Sequence, residues 1–415
     1  MTRKYQFDTR VIHTGQSPDQ WEGATLPPIY QSASHRHDTA ENLSDAFTGK
    51  NRDHIYMRLT NPTNRALEEK ITALEEGAGA IAMASGMAAV ANTCMALLRT
   101  GDTFVSSSSL FMSTWVLFTG IFKKYGIVPK LADPLDINAL EQAIDEKTRF
   151  IYIETIGNPK MDIPDIAAIG TVAHEHGIPL IVDNTMATPF LCRPLTLGAD
   201  VVIHSTTKYL SGHGAATGGI VIDGGTFDWS TDRFPDVAPF VERKGKLALL
   251  DKIWREHHIN FGTTQAPFHA YLTMIGLDTL ALRMARHLEN AVGVANFLDR
   301  QPGVTCVNYP GLENHPSHET AKRQFGGKGF GAMLTFTLKD RDQCAAFINN
   351  LKLIYHLANL GDCKTLIIHP HSTQYAAFDD ETRQSLSIFP DMLRLSVGIE
   401  AVDDICEDIK QALGK

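Results

Sequence analysis

Three segments lying far apart in the chain carry residues suited to one kind of chemistry, and each includes or follows a short apolar run. The first, Ala82-Met83-Ala84-Ser85-Gly86-Met87, reads as a strand running into a helix. Its Gly86 and Met87 amides would then sit at a helix N-terminus, where unpaired N–H groups and the helix dipole favour a phosphate. The second, Leu180-Ile181-Val182-Asp183, ends in a carboxylate, and the third delivers Ser205, Thr207 and Lys208 just after residues 201–204. Each feature alone has an ordinary explanation: a turn, a strand-end cap, a solvated lysine. Brought together at the carboxyl edge of one parallel sheet, where open α/β folds bind ligands, they combine a phosphate cradle, a carboxylate and an amine. That combination meets the needs of pyridoxal 5'-phosphate. A lysine forms a Schiff base with its aldehyde, and a carboxylate keeps its pyridine nitrogen protonated so that the ring can store electrons.

Other motifs point elsewhere and are weaker. Gly77-Ala78-Gly79-Ala80-Ile81-Ala82 loosely matches a dinucleotide-binding loop, but it follows a helical pattern and opens a strand, the reverse of what that loop requires. Ser205-Thr206-Thr207-Lys208 also satisfies the Ser-x-x-Lys of acyl-enzyme hydrolases, yet the accompanying Ser-Asp-Asn and Lys-Thr-Gly elements are missing. The close histidine pairs, among them His174/His176 and His369/His371, lack the i, i+4 spacing of a helical zinc pair, so no metal is expected. Cys94, Cys192, Cys306, Cys344, Cys363 and Cys406 show no Cys-x-x-Cys spacing and read as reduced, mostly buried thiols.

The elements that must position the three segments are legible as an alternation. Short apolar runs at 80–84, 103–106, 126–131, 149–154, 180–184, 201–204 and 219–222 are separated by helical stretches, the pattern of a largely parallel α/β sheet. Ahead of them, residues 1–62 are polar and turn-rich and form an arm; Leu67, Ile71 and Leu74 then mark an amphipathic helix over 63–76. Residues 223–262 form an aromatic and charged insertion without a clear strand, a candidate lid or subunit contact. A long helical run to about residue 298 and strands at 304–308, 332–337 and 392–397 predict a smaller α+β domain. The expected division is an arm over 1–62, a large cofactor-binding domain over 63–265 and a small C-terminal domain over 266–415.

Composition excludes several classes of function. With 415 residues, 43% apolar and 20% charged, the chain is globular and long enough to bury a large core. A formal charge of −9 repels phosphate backbones and anionic bilayers, so neither nucleic acid nor membrane is an expected partner. Asp8 and Arg10 interrupt any apolar export signal, and a cytoplasmic location is expected. The uncharged stretch 77–98 is diluted by Gly, Ser, Asn and Thr, and reads as strand, turn and buried helix rather than a membrane span.

The sequence resembles the Cys/Met-metabolism family of pyridoxal-phosphate enzymes from about residue 9 to residue 400. The resemblance rests on Tyr56-Met57-Arg58-Leu59-Thr60-Asn61-Pro62-Thr63, Glu154-Thr155-Ile156-Gly157-Asn158-Pro159, Val182-Asp183-Asn184-Thr185, His204-Ser205-Thr206-Thr207-Lys208-Tyr209 and Arg394-Leu395-Ser396-Val397-Gly398-Ile399-Glu400. Within the family it looks most like the O-acetylhomoserine sulfhydrylases, through residues 106–109, Phe227-Asp228-Trp229, Asn308-Tyr309-Pro310-Gly311 and His356-Leu357-Ala358-Asn359. The resemblance implies fold type I, which is aspartate-aminotransferase-like: a large, mostly parallel seven-stranded sheet domain plus a smaller α+β domain. It also implies a homotetramer, a dimer of dimers with shared active sites, whose arms reach the neighbouring subunit.

Position by position, the resemblance makes Lys208 the Schiff-base lysine and proton shuttle, and Asp183 the partner of the pyridine nitrogen. Ser205, Thr207 and the Gly86 and Met87 amides would hold the phosphate, joined by Tyr56 and Arg58 from the neighbouring subunit. Arg394 would bind the substrate carboxylate, with Asn158 and Asn359 orienting it. The implied reaction is γ-replacement on an O-acylated homoserine by a small nucleophile, most simply O-acetylhomoserine and sulfide giving homocysteine and acetate. A γ-lyase of the methionine or cystathionine type, or action on another γ-substituted amino acid, is the alternative. Two departures bear on it. Phe111 stands where the family has a tyrosine over the cofactor ring, and it can stack but cannot move a proton. Gln374-Tyr375 replaces the Thr-His usual in the sulfhydrylases.

Overall fold

Aliphatic and β-branched runs bounded by Gly, Pro and Asp form the strands of two sheets in the computed structural model, which describes residues 5–15, 21–51 and 53–414. The larger sheet contains β1 (Gly79–Met83), β2 (Thr103–Ser107), β3 (Val128–Ala132), β4 (Thr148–Glu154), β5 (Leu180–Asp183), β6 (Val201–His204) and β7 (Gly219–Asp223). Their order is β1-β7-β6-β5-β4-β2-β3. All run in one direction except β7, which is antiparallel to both its neighbours, β1 and β6. The antiparallel β7 matters for the site. Residues 205–218 leave the carboxyl end of β6 and return to the start of β7 on the same edge, so the loop bearing Lys208 begins and ends there.

Both faces of this sheet are covered, which is why its strands read as nearly continuous apolar runs. Ile151, Ile153, Val182, Val202, Ile220 and Ile222 pack to one side with Leu67, Ile71 and Leu74 of the helix Pro62–Glu75. Their alternates Phe150, Tyr152, Ile181, Val201, Ile203 and Val221 pack to the other with Val90, Cys94 and Leu97 of the helix Gly86–Leu97. The uncharged stretch 77–98 is thus the strand, turn and buried helix that its composition implies. The insertion at 223–262, expected as a lid or subunit contact, is in part interior to this chain. Trp229, Phe234, Val237, Leu249 and Ile253 are buried in the second of these cores, so much of the segment is core of this chain.

The smaller sheet holds β8 (Cys306–Asn308), β9 (Met333–Thr337), β10 (Tyr355–His356), β11 (Leu366–Ile368) and β12 (Met392–Ser396), in the order β10-β11-β12-β9-β8. The short β10 and β11 carry too few residues to show a period, and sequence reading missed both. The expected single helical run divides at Thr279 into helices Pro267–Asp278 and Leu280–Leu298. The arm also contains two short helices, Phe7–His13 and Ala40–Thr48. Val11 of the first is buried in this chain's own core, and Phe7 meets Phe190 edge-on at 5.7 Å. Among the described residues no helix is long and apolar enough to cross a membrane.

Candidate active site

The carboxyl edge of the large sheet opens into a cavity of about 220 Å³. At one end β1 turns into the helix Gly86–Leu97, whose N-cap Ser85 accepts the Ala88 N–H at 3.1 Å. The Gly86 and Met87 amides, also facing this cavity, have no partner among the described residues. Gly86 is required for close approach rather than for its backbone angles: a Cβ there would lie 2.6 Å from Ser205 Cβ. Ser205 itself is fixed by its N–H, which donates to Thr185 Oγ1 at 2.8 Å, and the Gly218 N–H donates to Thr207 Oγ1 at 3.0 Å. Two free amides and two hydroxyls at a helix N-terminus make an anion cradle. Gly86→Ala should force the helix and the Ser205 loop apart, weakening cofactor retention about five- to 150-fold, since overpacking of this kind costs about 1–3 kcal/mol. Equilibrium dialysis of pyridoxal phosphate checks this, and unchanged affinity would remove Gly86 from the cradle.

In the middle of the edge, Asp183 and Glu154 are paired neighbours on β5 and β4. Asp183 accepts the Thr185 N–H at 3.0 Å and the Tyr152 hydroxyl at 3.4 Å. Burial pushes its carboxyl above the usual range, opposed by these donors and by the charge of His204. Glu154 accepts the Phe111 N–H at 2.6 Å. Burial first and the Asp183 charge second push Glu154 well above the ordinary carboxylate range. Two carboxyls in one buried slot cannot both ionise cheaply, and Glu154 is the more strongly disfavoured as an anion, which leaves Asp183 the better placed to meet a cation. Behind them lies a fully buried contact, His204 Nε2 to Glu75 Oε1 at 2.6 Å, with the Asn184 amide donating to the same oxygen at 2.9 Å.

At the far end the two sheets meet. The Lys208 ammonium donates to Asn359 Oδ1 at 2.7 Å, and burial together with the Arg394 charge lowers its pKa to about 8. Arg394, on β12, donates to Asn158 Oδ1 at 3.1 Å and to the Asn359 carbonyl at 3.3 Å. It is buried without a carboxylate partner among the described residues, and desolvation lowers it to about 10.

Gly86, Met87, Phe111, Asn158, Asp183, Ser205, Thr207, Lys208, Asn359 and Arg394 therefore all line one cavity. Tyr56 and Arg58 do not. Tyr56 is largely exposed, and Arg58 lies over its ring at 5.5 Å and donates to the Ile259 carbonyl. Sequence reading missed the roles of Thr185, which holds the Ser205 amide, and of Glu154, which holds the Phe111 amide. Both stood inside quoted motifs, but nothing in their spacing identifies a backbone partner. The cavity fits pyridoxal phosphate on the chain's own terms: an anion cradle of amides and hydroxyls, a carboxylate at mid-edge, and a lysine with a depressed pKa.

The chain matches the family described as Cys/Met metabolism PLP-dependent enzyme over residues 8–414. It is 39% identical to an O-acetyl-L-homoserine sulfhydrylase of Leptospira meyeri, covering 100% of this chain and 98% of that one. It is 40% identical to O-acetyl-L-homoserine sulfhydrylase 1 of Thermus thermophilus, covering 98% and 100%. A Campylobacter jejuni structure assigned as an O-acetylhomoserine (thiol)-lyase, with a pyridoxyl-lysine monophosphate in its chain, superposes with a TM-score of 0.93 at 33% identity, covering 99% and 100%.

Proposed function

Since the chain belongs to the Cys/Met-metabolism family of pyridoxal-phosphate-dependent enzymes, we propose that it replaces the acetoxy group of O-acetylhomoserine by sulfide, releasing acetate and forming homocysteine. The observation that carries this reading is the arrival of Lys208, Asp183 and Arg394 from three separate strand regions in one cavity. Bound there, pyridoxal phosphate would supply an electron sink for carbanion chemistry.

The chain's residues do the rest. Arg394, its guanidinium already oriented by Asn158 and the Asn359 carbonyl, takes the substrate carboxylate in a two-pronged pair. Lys208, with a pKa of about 8, is able to accept the Cα proton near neutral pH and return it. Asp183 would keep a proton on the pyridine nitrogen of the bound cofactor, and Gly86, Met87, Ser205 and Thr207 would hold its phosphate. Phe111 would cover the ring and exclude water, and its lack of a hydroxyl leaves the proton transfers to Lys208. Loss of a Cβ proton supplies the electrons that expel acetate with its bonding pair; hydrosulfide then adds at Cγ, and protons return to Cβ and Cα. Tyr56 and Arg58, outside their own chain's cavity, complete the phosphate site of a neighbouring subunit in a cytoplasmic homotetramer.

Product analysis of cofactor-loaded protein given O-acetylhomoserine tests the reading. Homocysteine formed only when sulfide is supplied is the expected result. A 2-oxo acid and ammonia formed without sulfide would make the enzyme a γ-lyase instead.

A further inference from the structure

We propose that Gln374 recognises the acyl carbonyl of the leaving group and thereby selects an uncharged O-acyl substituent over a phosphorylated one; the inference rests on the γ-replacement reading above.

Most polar side chains lining the cavity hold a partner or belong to the anion cradle, and the Asn158 and Asn359 carboxamides are tied through their oxygens to Arg394 and Lys208. Lys208 is bonded to Asn359, Arg394 to Asn158, Glu154 to the Phe111 amide and Thr207 to Gly218. Ser205 faces the anion cradle. Gln374 lines the same cavity and makes no hydrogen bond among the described residues. It is nonetheless carried on a fixed loop. The His369 ring contacts Ser372 Oγ at 2.6 Å and the Pro390 carbonyl at 2.9 Å, the Thr373 hydroxyl donates to the His369 carbonyl at 2.6 Å, and the Tyr375 N–H donates to the Pro370 carbonyl at 3.0 Å. The buried Tyr375 packs in one apolar cluster with Met112, which directly follows Phe111, and Trp115 one helical turn on. The loop therefore pins Gln374 to the wall that Phe111 begins.

Once the cofactor and the α-carboxylate have taken their partners, the γ-substituent is the substrate group still needing one. A carboxamide offers two N–H donors and no charge. It suits an ester carbonyl, and its hydrogen bond strengthens as the departing oxygens gain charge. It does not neutralise a phosphate dianion, and the two cations lining the cavity, Lys208 and Arg394, are committed to Cα and the carboxylate.

The test compares intact holoenzyme with Gln374→Leu, nearly the same size without the donors, and Gln374→Lys. Turnover of O-acetylhomoserine with sulfide is read beside exchange of the Cα proton of L-norvaline into D₂O, which needs no leaving group. For Gln374→Leu, kcat/KM on O-acetylhomoserine should fall about fivefold more than norvaline exchange, the effect of one hydrogen bond. Gln374→Lys should shift the kcat/KM ratio toward O-phosphohomoserine. Equal losses in both reactions, or no loss in either, would overturn the role of Gln374. A wild-type enzyme that exchanges norvaline yet leaves O-acetylhomoserine untouched would instead overturn the reading on which it rests.

Discussion

Lys208→Ala should lose the visible absorption band of bound pyridoxal phosphate and essentially all turnover. General acid–base transfer alone contributes about 10²–10⁴-fold, and no other lysine lines the cavity. The variant should still fold, because removing an amine that burial already disfavours relieves a desolvation cost. A further expectation concerns the unmodified chain. Because the Lys208 pKa is lowered to about 8 from 10.5, the neutral nucleophilic amine predominates above pH 8. The rate at which cofactor-free protein takes up pyridoxal phosphate should rise with pH through a midpoint near 8. A band that persists unchanged in Lys208→Ala, or a loading midpoint near 10, would contradict the assignment.

Arg394→Leu is expected to separate binding from stability. Truncating one partner of a buried charged pair costs about 2–5 kcal/mol, or roughly 30-fold to several thousandfold, and the loss should fall on kcat/KM for every amino-acid substrate. Arg394→Lys should recover only part of it, since the ammonium keeps the charge but not the planar fork. Without substrate, however, Arg394 is a buried cation held by neutral oxygens alone. Replacing such a group by a well-packed apolar side chain is often neutral or stabilising. The melting temperature of cofactor-free Arg394→Leu should therefore match or exceed that of the parent. A marked drop in melting temperature would mean that the guanidinium is a structural tie between the sheets.

The parts of the fold that read directly from sequence are those set by local periodicity. The apolar runs placed all seven strands of the large sheet to within about two residues at either end, because a strand buried on both faces must be apolar along its length. Asn61-Pro62 marked the start of a helix because an Asn side chain caps it, here accepting the Thr63 and Asn64 amides, and proline is preorganised at the first position. The β10 and β11 strands were not legible because two or three residues show no period. The break at Thr279 was hidden because apolar spacing continues across it.

The sequence by itself determined which groups would arrive at one edge. Strands that run parallel deliver their following residues to the same side, so Gly86, Asp183 and Lys208 had to converge once the alternation was recognised. Tertiary structure alone decided what those groups meet. The reversal of β7, the pairing of Glu154 with Asp183, the hold of Glu154 on the Phe111 amide and the reach of Arg394 to Asn158 across 236 residues all depend on strand order and on two sheets packing together. Those contacts are set by through-space distance rather than by chain spacing. They set which carboxyl burial disfavours most as an anion and how far the Lys208 ammonium is acidified, and they leave Gln374 facing the cavity.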